Sequence, residues 1–139
     1  MPIALYILIY VYAINLHVWH WRWWVAALGA LAFVPYAMLV GQVFDALPFF
    51  TVSAGYWPVP LLIAIYAVLL RDRVPQVAQG LALGAAILVL SLTFLSVDAA
   101  LCLVIPLGTH FMWHILNALM LGWMIEVYRR HLREYSADD

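Results

Sequence analysis

Val77-Ala78-Gln79-Gly80-Leu81-Ala82-Leu83-Gly84-Ala85-Ala86-Ile87-Leu88-Val89-Leu90-Ser91-Leu92-Thr93-Phe94-Leu95-Ser96-Val97-Asp98-Ala99-Ala100-Leu101-Cys102-Leu103-Val104 carries a single charged residue, Asp98. About 20 apolar helical residues cover the roughly 30 Å of bilayer hydrocarbon, so this run exceeds one span and is expected to tilt or to bend near its end. Four further apolar stretches flank it, at 3–19, 23–44, 57–70 and 108–127, the first and third being short for a span. Of the 139 residues, 68% are hydrophobic and 9% charged, whereas a soluble domain carries about a quarter charged residues. The composition predicts an integral membrane protein of the all-α class. Its expected form is a polytopic bundle of five transmembrane helices, a single domain over 1–139 without room for a soluble one. A formal net charge of −1 gives nucleic acid no basic footprint.

The breaks between stretches are chemically legible. His17-Val18-Trp19-His20-Trp21-Arg22-Trp23-Trp24 is an aromatic cluster with one charge, as expected where a chain turns at headgroup level. Asp45, Pro48, Pro58 and Pro60 bracket a second turn, Arg71-Asp72-Arg73 with Pro75 marks a third, and Pro106-Leu107-Gly108 a fourth. With five alternating spans, Arg22, Arg71, Arg73, Arg129, Arg130 and Arg133 all fall on one side, and merging or splitting any span spoils that segregation. The positive-inside rule then predicts an outside N-terminus and a cytoplasmic C-terminus. Met1-Pro2-Ile3-Ala4-Leu5 lacks a basic n-region and reads as a retained span. The charged tail 129–139 is expected to prolong the last helix by a turn or two. Arginine without lysine, beside abundant Ala and Leu, fits a GC-rich bacterial genome and hence a bacterial inner membrane. The lone Cys102 forms no internal disulfide.

His110 and His114 stand one turn apart at the start of the last stretch, which places two imidazoles on one helical face about 6 Å apart along the axis. That spacing suits Zn²⁺, which takes N, S and O ligands in four-coordinate sites. Asp98 lies eight residues before Pro106 and His114 six after Gly108, roughly 12 Å and 9 Å below the turn between antiparallel neighbours. Asp98, His110 and His114 are therefore expected to converge, with Cys102 as a further soft group. Asp98 reads as a third ligand, as an orienting group behind a His, or as a helix-packing hydrogen bond. For the imidazoles the alternative is hydrogen bonding to neighbouring helices, and for Cys102 a small buried apolar role. His17 and His20 read as interfacial, His131 as a solvated tail residue, and Glu126 as a partner of Arg129 or Arg130. Histidines at i, i+4 cannot take opposite axial positions of one haem, which disfavours that cofactor. A proton or ion pathway through Asp98 and the histidines lacks polar residues continuing below Ser91 and Asn117.

Phe94-Leu95-Ser96-Val97-Asp98-Ala99-Ala100-Leu101-Cys102, Pro106-Leu107-Gly108 and His110-x-x-Trp113-His114-Ile115-Leu116 together resemble the end of the alkaline ceramidases, whose superfamily includes the adiponectin/progestin-type receptors. The Asp-to-Cys spacing, the His-to-His spacing and the Trp-His-Ile-Leu run all match. Met1 to Tyr10 looks like the apolar run that opens that family's third helix. The resemblance thus implies the last five helices of a seven-helix fold, without the first two and the start of the third. It implies a zinc-dependent hydrolase of the amide bond of ceramide-type lipids, with zinc on His110 and His114 and Asp98 as an orienting or water-positioning group. The family's third His ligand, with a Ser and an Asp near the zinc-bound water, has no counterpart here. The competing expectation is a non-catalytic relative that binds lipid or a partner. With two helices fewer, part of the bundle would be uncovered and self-association is expected.

Overall fold

The computed structural model describes residues 2–138, and among them every regular element is a helix. The helices are α1 (Pro2–His17), α2 (Trp23–Leu31), α3 (Phe33–Asp45), α4 (Pro58–Leu70), α5 (Pro75–Leu101) and α6 (His110–Ala137), with one 3-10 turn at Thr51–Ser53. Four expected stretches map onto α1, α4, α5 and α6. The stretch 23–44 is instead divided at Ala32 into α2 and α3. Pro35 is the physical reason: it has no N–H to give the Leu31 carbonyl four residues back, and its ring crowds that carbonyl. The other departure is α6, which runs through the charged tail to Ala137, about three turns past 127 rather than one or two.

Two helical stretches, Trp23–Asp45 and Pro75–Asp98, are long and apolar enough to cross a membrane, while Ile3–His17 and Pro58–Leu70 are apolar but shorter. Only 11% of the apolar window in Trp23–Asp45 is buried, and Trp23, Leu28, Met38, Leu39 and Val43 are exposed. Exposed large apolar side chains in such number mark contact with lipid or with another protein.

The chain forms two compact units, Met1–Leu39 and Val40–Asp139. In the first, α1 and α2 pack through small residues. Ala26 and Ala30 are buried with Val11, Ile14 and Asn15. A methyl group on Gly29 would lie 2.8 Å from Asn15 Nδ2, so the absent side chain is what allows this approach.

In the second unit, α4, α5 and α6 pack side by side. Pro58 and Pro75 open α4 and α5, positions where a missing N–H costs nothing. Leu70, Leu81, Leu88 and Leu92 fill the core, met by Met120, Met124 and Val127 at helical spacing on α6. Gly80 and Gly84 lie under that stripe. A methyl on Gly80 would come within 2.5 Å of Val127 and one on Gly84 within 2.5 Å of Met124 Sδ. Trp123 Nε1–H donates to the Gly80 carbonyl at 2.8 Å, fastening the close approach. Phe44, Phe50 and Trp57 close the 45–57 connection, with ring centroids 4.8 to 5.8 Å apart.

Candidate functional site

The α5–α6 turn builds the site. Gly108 has φ +64°, a left-handed conformation that glycine adopts without strain. A methyl group there would also sit 2.7 Å from Asp98 Oδ1 and 2.9 Å from Cys102 Sγ. Glycine thus both turns the chain and admits the carboxylate.

Asp98 Oδ1 accepts the Thr109 backbone N–H at 2.6 Å. The Thr109 hydroxyl lies 2.9 Å from the Phe94 carbonyl and 3.3 Å from Asp98 Oδ1, so its proton is shared between them, nearer to Phe94. Thr109 is the N-cap of α6, yet its own side chain makes no capping bond. A carboxylate from the end of α5 therefore caps the start of α6, where amide donors and the helix dipole favour negative charge. Cys102 Sγ is 3.6 Å from the same oxygen. The second oxygen, Oδ2, faces His110 Nδ1 at 3.8 Å, beyond hydrogen-bond reach and close enough to bias the ring.

His110 and His114 stand edge to face, with ring centroids 4.8 Å apart and planes at 76°. Trp113 lies 5.2 Å from the first ring and 4.4 Å from the second, and Tyr56 packs 6.1 Å from Trp113. Ser91 Oγ–H donates to the Trp113 carbonyl at 3.0 Å, holding the first turns of α6 against α5. Both imidazoles are exposed, and the His110 side chain is about half accessible, at 51%.

A second polar chain pins the 45–57 connection beside this end of α5. Trp57 Nε1–H donates to Ser53 Oγ at 2.8 Å, Ser53 Oγ lies 2.7 Å from Ser96 Oγ, and Ser96 Oγ–H donates to the Leu92 carbonyl at 2.9 Å. Because the Ser96 proton is committed to Leu92, Ser53 is the donor within the pair.

The expected convergence is thus seen between Asp98 and His110, with His114 against His110 and Cys102 against Asp98. The carboxylate is turned mainly to the α6 backbone. Among the described residues, no group of three or more His, Cys, Asp and Glu side chains is placed to hold one metal ion. Two neutral imidazoles on one helical face fit two positions of a zinc site, which needs a third donor and a water.

The remaining candidates lie elsewhere. His17 Nδ1 is 3.2 Å from the Ala13 carbonyl in its own helix. Glu126 is held by both Arg129 and Arg130, not by one of them, at 2.7 to 2.9 Å. His131 is not a solvated tail residue, because its Nε2 is buried and its ring lines a cavity between α5 and α6. Tyr56, Ser53 and Trp57 are neighbours of the site end that sequence spacing does not reveal. They arrive from a separate connection, and the paired prolines there signal only a turn. Searches against family models, curated proteins and solved structures find no match.

Proposed function

We propose that this chain is a ceramidase-like integral membrane zinc hydrolase that cleaves the amide bond of ceramide-type lipids. In this reading it spans the membrane five times, with the N-terminus outside, the arginines and C-terminus on the cytoplasmic side, and a bacterial inner membrane as its setting. The observation that carries it is the edge-to-face His110–His114 pair beside a carboxylate, at a helix junction in an otherwise apolar chain. His110 and His114 would hold the zinc, with a third ligand from a helix outside these 139 residues, as the family resemblance implies. A zinc ion so held supplies polarisation of the amide carbonyl and a bound water acidic enough to act near neutrality.

The chain's own groups set up that chemistry. Asp98 Oδ2 on the Nδ1 side of His110 favours a proton on that nitrogen and leaves Nε2 as the donor to metal. The Thr109 amide and hydroxyl fix the carboxylate, so the ring, the carboxylate and the start of α6 move as one piece. Trp113 beside both rings restricts their rotation. Exposed Leu103, Val104 and Leu107 at the same junction offer apolar contact to the chains of a lipid substrate.

The test is metal analysis of protein purified in detergent, with hydrolysis of a fluorescent ceramide. Stoichiometric zinc that disappears in His114→Ala, together with turnover, supports the reading. A longer form that carries the third histidine and stays zinc-free in the presence of excess zinc defeats it. A non-catalytic lipid- or partner-binding relative is the second reading, favoured by the two-imidazole inventory. It predicts ceramide binding without zinc retention or turnover.

A further inference from the structure

At the other end of the α5–α6 pair lies a cavity of about 390 Å³, within the size range of small-molecule sites. Its wall is graded along the helices. Leu83, Trp123 and Val127 line the part toward the middle of the pair, whereas Gln76, Arg130 and Glu134 line the part toward the helix ends. Such a gradient suits an amphiphile with its chain inward and its head at the rim.

The rim charges are arranged as a dipole. Two guanidiniums, of Arg129 and Arg130, share the one carboxylate of Glu126, which leaves positive charge in excess there. Arg130 also lies over the Trp123 ring, 5.8 Å from its centroid. One turn further along α6, Glu134 is in the opposite condition. The Gln76 amide, oriented with its nitrogen toward Glu134, donates to both carboxylate oxygens at 2.8 and 2.6 Å. No cation is paired with that carboxylate among the described residues. In the same wall, His131 has a buried Nε2 without a hydrogen-bond partner, a cost that calls for a partner from outside the chain.

We propose that this cavity binds the headgroup of a zwitterionic phospholipid with a primary ammonium. The phosphate faces Arg130, the ammonium faces Glu134, and the start of the acyl region lies against Leu83 and Val127. The inference rests on the membrane placement proposed above, which sets this end at the arginine-rich headgroup level, and is independent of the zinc site. A primary ammonium keeps N–H donors that a quaternary one lacks, and an anionic glycerol headgroup offers Glu134 hydroxyls but no positive charge.

The intact protein in detergent is titrated with phosphatidylethanolamine, phosphatidylcholine or phosphatidylglycerol of one acyl composition, and retained lipid is read by native mass spectrometry. Phosphatidylethanolamine is expected to bind about tenfold more tightly than either competitor, the size of one hydrogen bond to a charged group. Glu134→Gln is expected to abolish its advantage over phosphatidylcholine, and His114→Ala to leave it intact. Equal retention of the three lipids, preference for phosphatidylglycerol, or an unchanged preference in Glu134→Gln would overturn the proposal. Soluble phosphoethanolamine is expected not to displace the lipid at matched concentration. Full displacement would refute the amphiphile and leave a headgroup-only site. Labelling of a Ser136→Cys, Cys102→Ser protein from each side of sealed vesicles reads the membrane placement separately, so the two ideas fail distinguishably.

Discussion

Gly80 and Gly122 are both glycines inside long helices, yet alanine should have opposite effects at the two. Alanine gains about 1 kcal/mol over glycine in a helix interior through its smaller loss of backbone freedom. At Gly122 a methyl group meets nothing within 4 Å, so Gly122→Ala should keep most of that gain. At Gly80 the methyl would lie 2.5, 2.9 and 3.3 Å from Cγ2, Cγ1 and Cβ of Val127. A β-branched side chain in a helix has essentially one rotamer and cannot swing aside, so α5 and α6 must part. Overpacking of this kind costs about 1–3 kcal/mol, and parting the helices also lengthens the Trp123 bond to the Gly80 carbonyl. Gly80→Ala should therefore be less stable than Gly122→Ala by about 1–3 kcal/mol, with Gly84→Ala between them because Met124 is flexible. Reversible unfolding of the three variants in one detergent, by denaturant titration, gives the order. Equal stability of Gly80→Ala and Gly122→Ala would refute the close α5–α6 approach.

Three further outcomes are expected. Gly108→Ala should destabilise the α5–α6 turn by about 1–2 kcal/mol from the left-handed backbone alone, with an added clash against Asp98, seen as faster proteolysis near residue 108. Ser53→Ala leaves the Trp57 indole N–H without its acceptor and should cost about 1–3 kcal/mol, measured by thermal unfolding with Ser53→Thr as a partial rescue. Asp98→Asn should weaken zinc binding about 10–100-fold, as loss of an orienting partner behind a metal-bound imidazole does. Zinc affinity unchanged in that variant would confine Asp98 to capping α6.

Helices α1, α4, α5 and α6 were legible because long apolar runs and Pro or Arg punctuation leave a helix little competition. The division of α2 from α3 was hidden, because hydropathy averages over the break, although Pro35 four residues after Leu31 marks it. The extent of α6 was not, because the charged tail is stabilised by Glu126 with Arg129 and Arg130 and by Gln76 with Glu134, which hydropathy does not weigh. At the site, counting residues from the Pro106 turn placed Asp98 beside His110. The same count cannot say which way a carboxylate rotates, and the Thr109 N–H at the N-cap of α6 is a better partner than an imidazole 3.8 Å away. Ser53 and Tyr56 were illegible for a different reason: their contacts with Ser96 and Trp113 depend on how the 45–57 connection folds back onto α5. The Gly80–Gly84 spacing was present in the sequence as a helix-packing signal, hidden by its place inside the most apolar stretch.

The 28 residues of α6 make a rod about 42 Å long, roughly 12 Å more than the hydrocarbon is thick. A helical protein spliced in phase at Ala137 would thus inherit a fixed azimuth and height relative to α5, each added residue turning it by about 100° and lifting it about 1.5 Å. This gives a small, largely apolar helical protein a rigid fiducial for electron cryomicroscopy, with His110 at the far end of the same shaft.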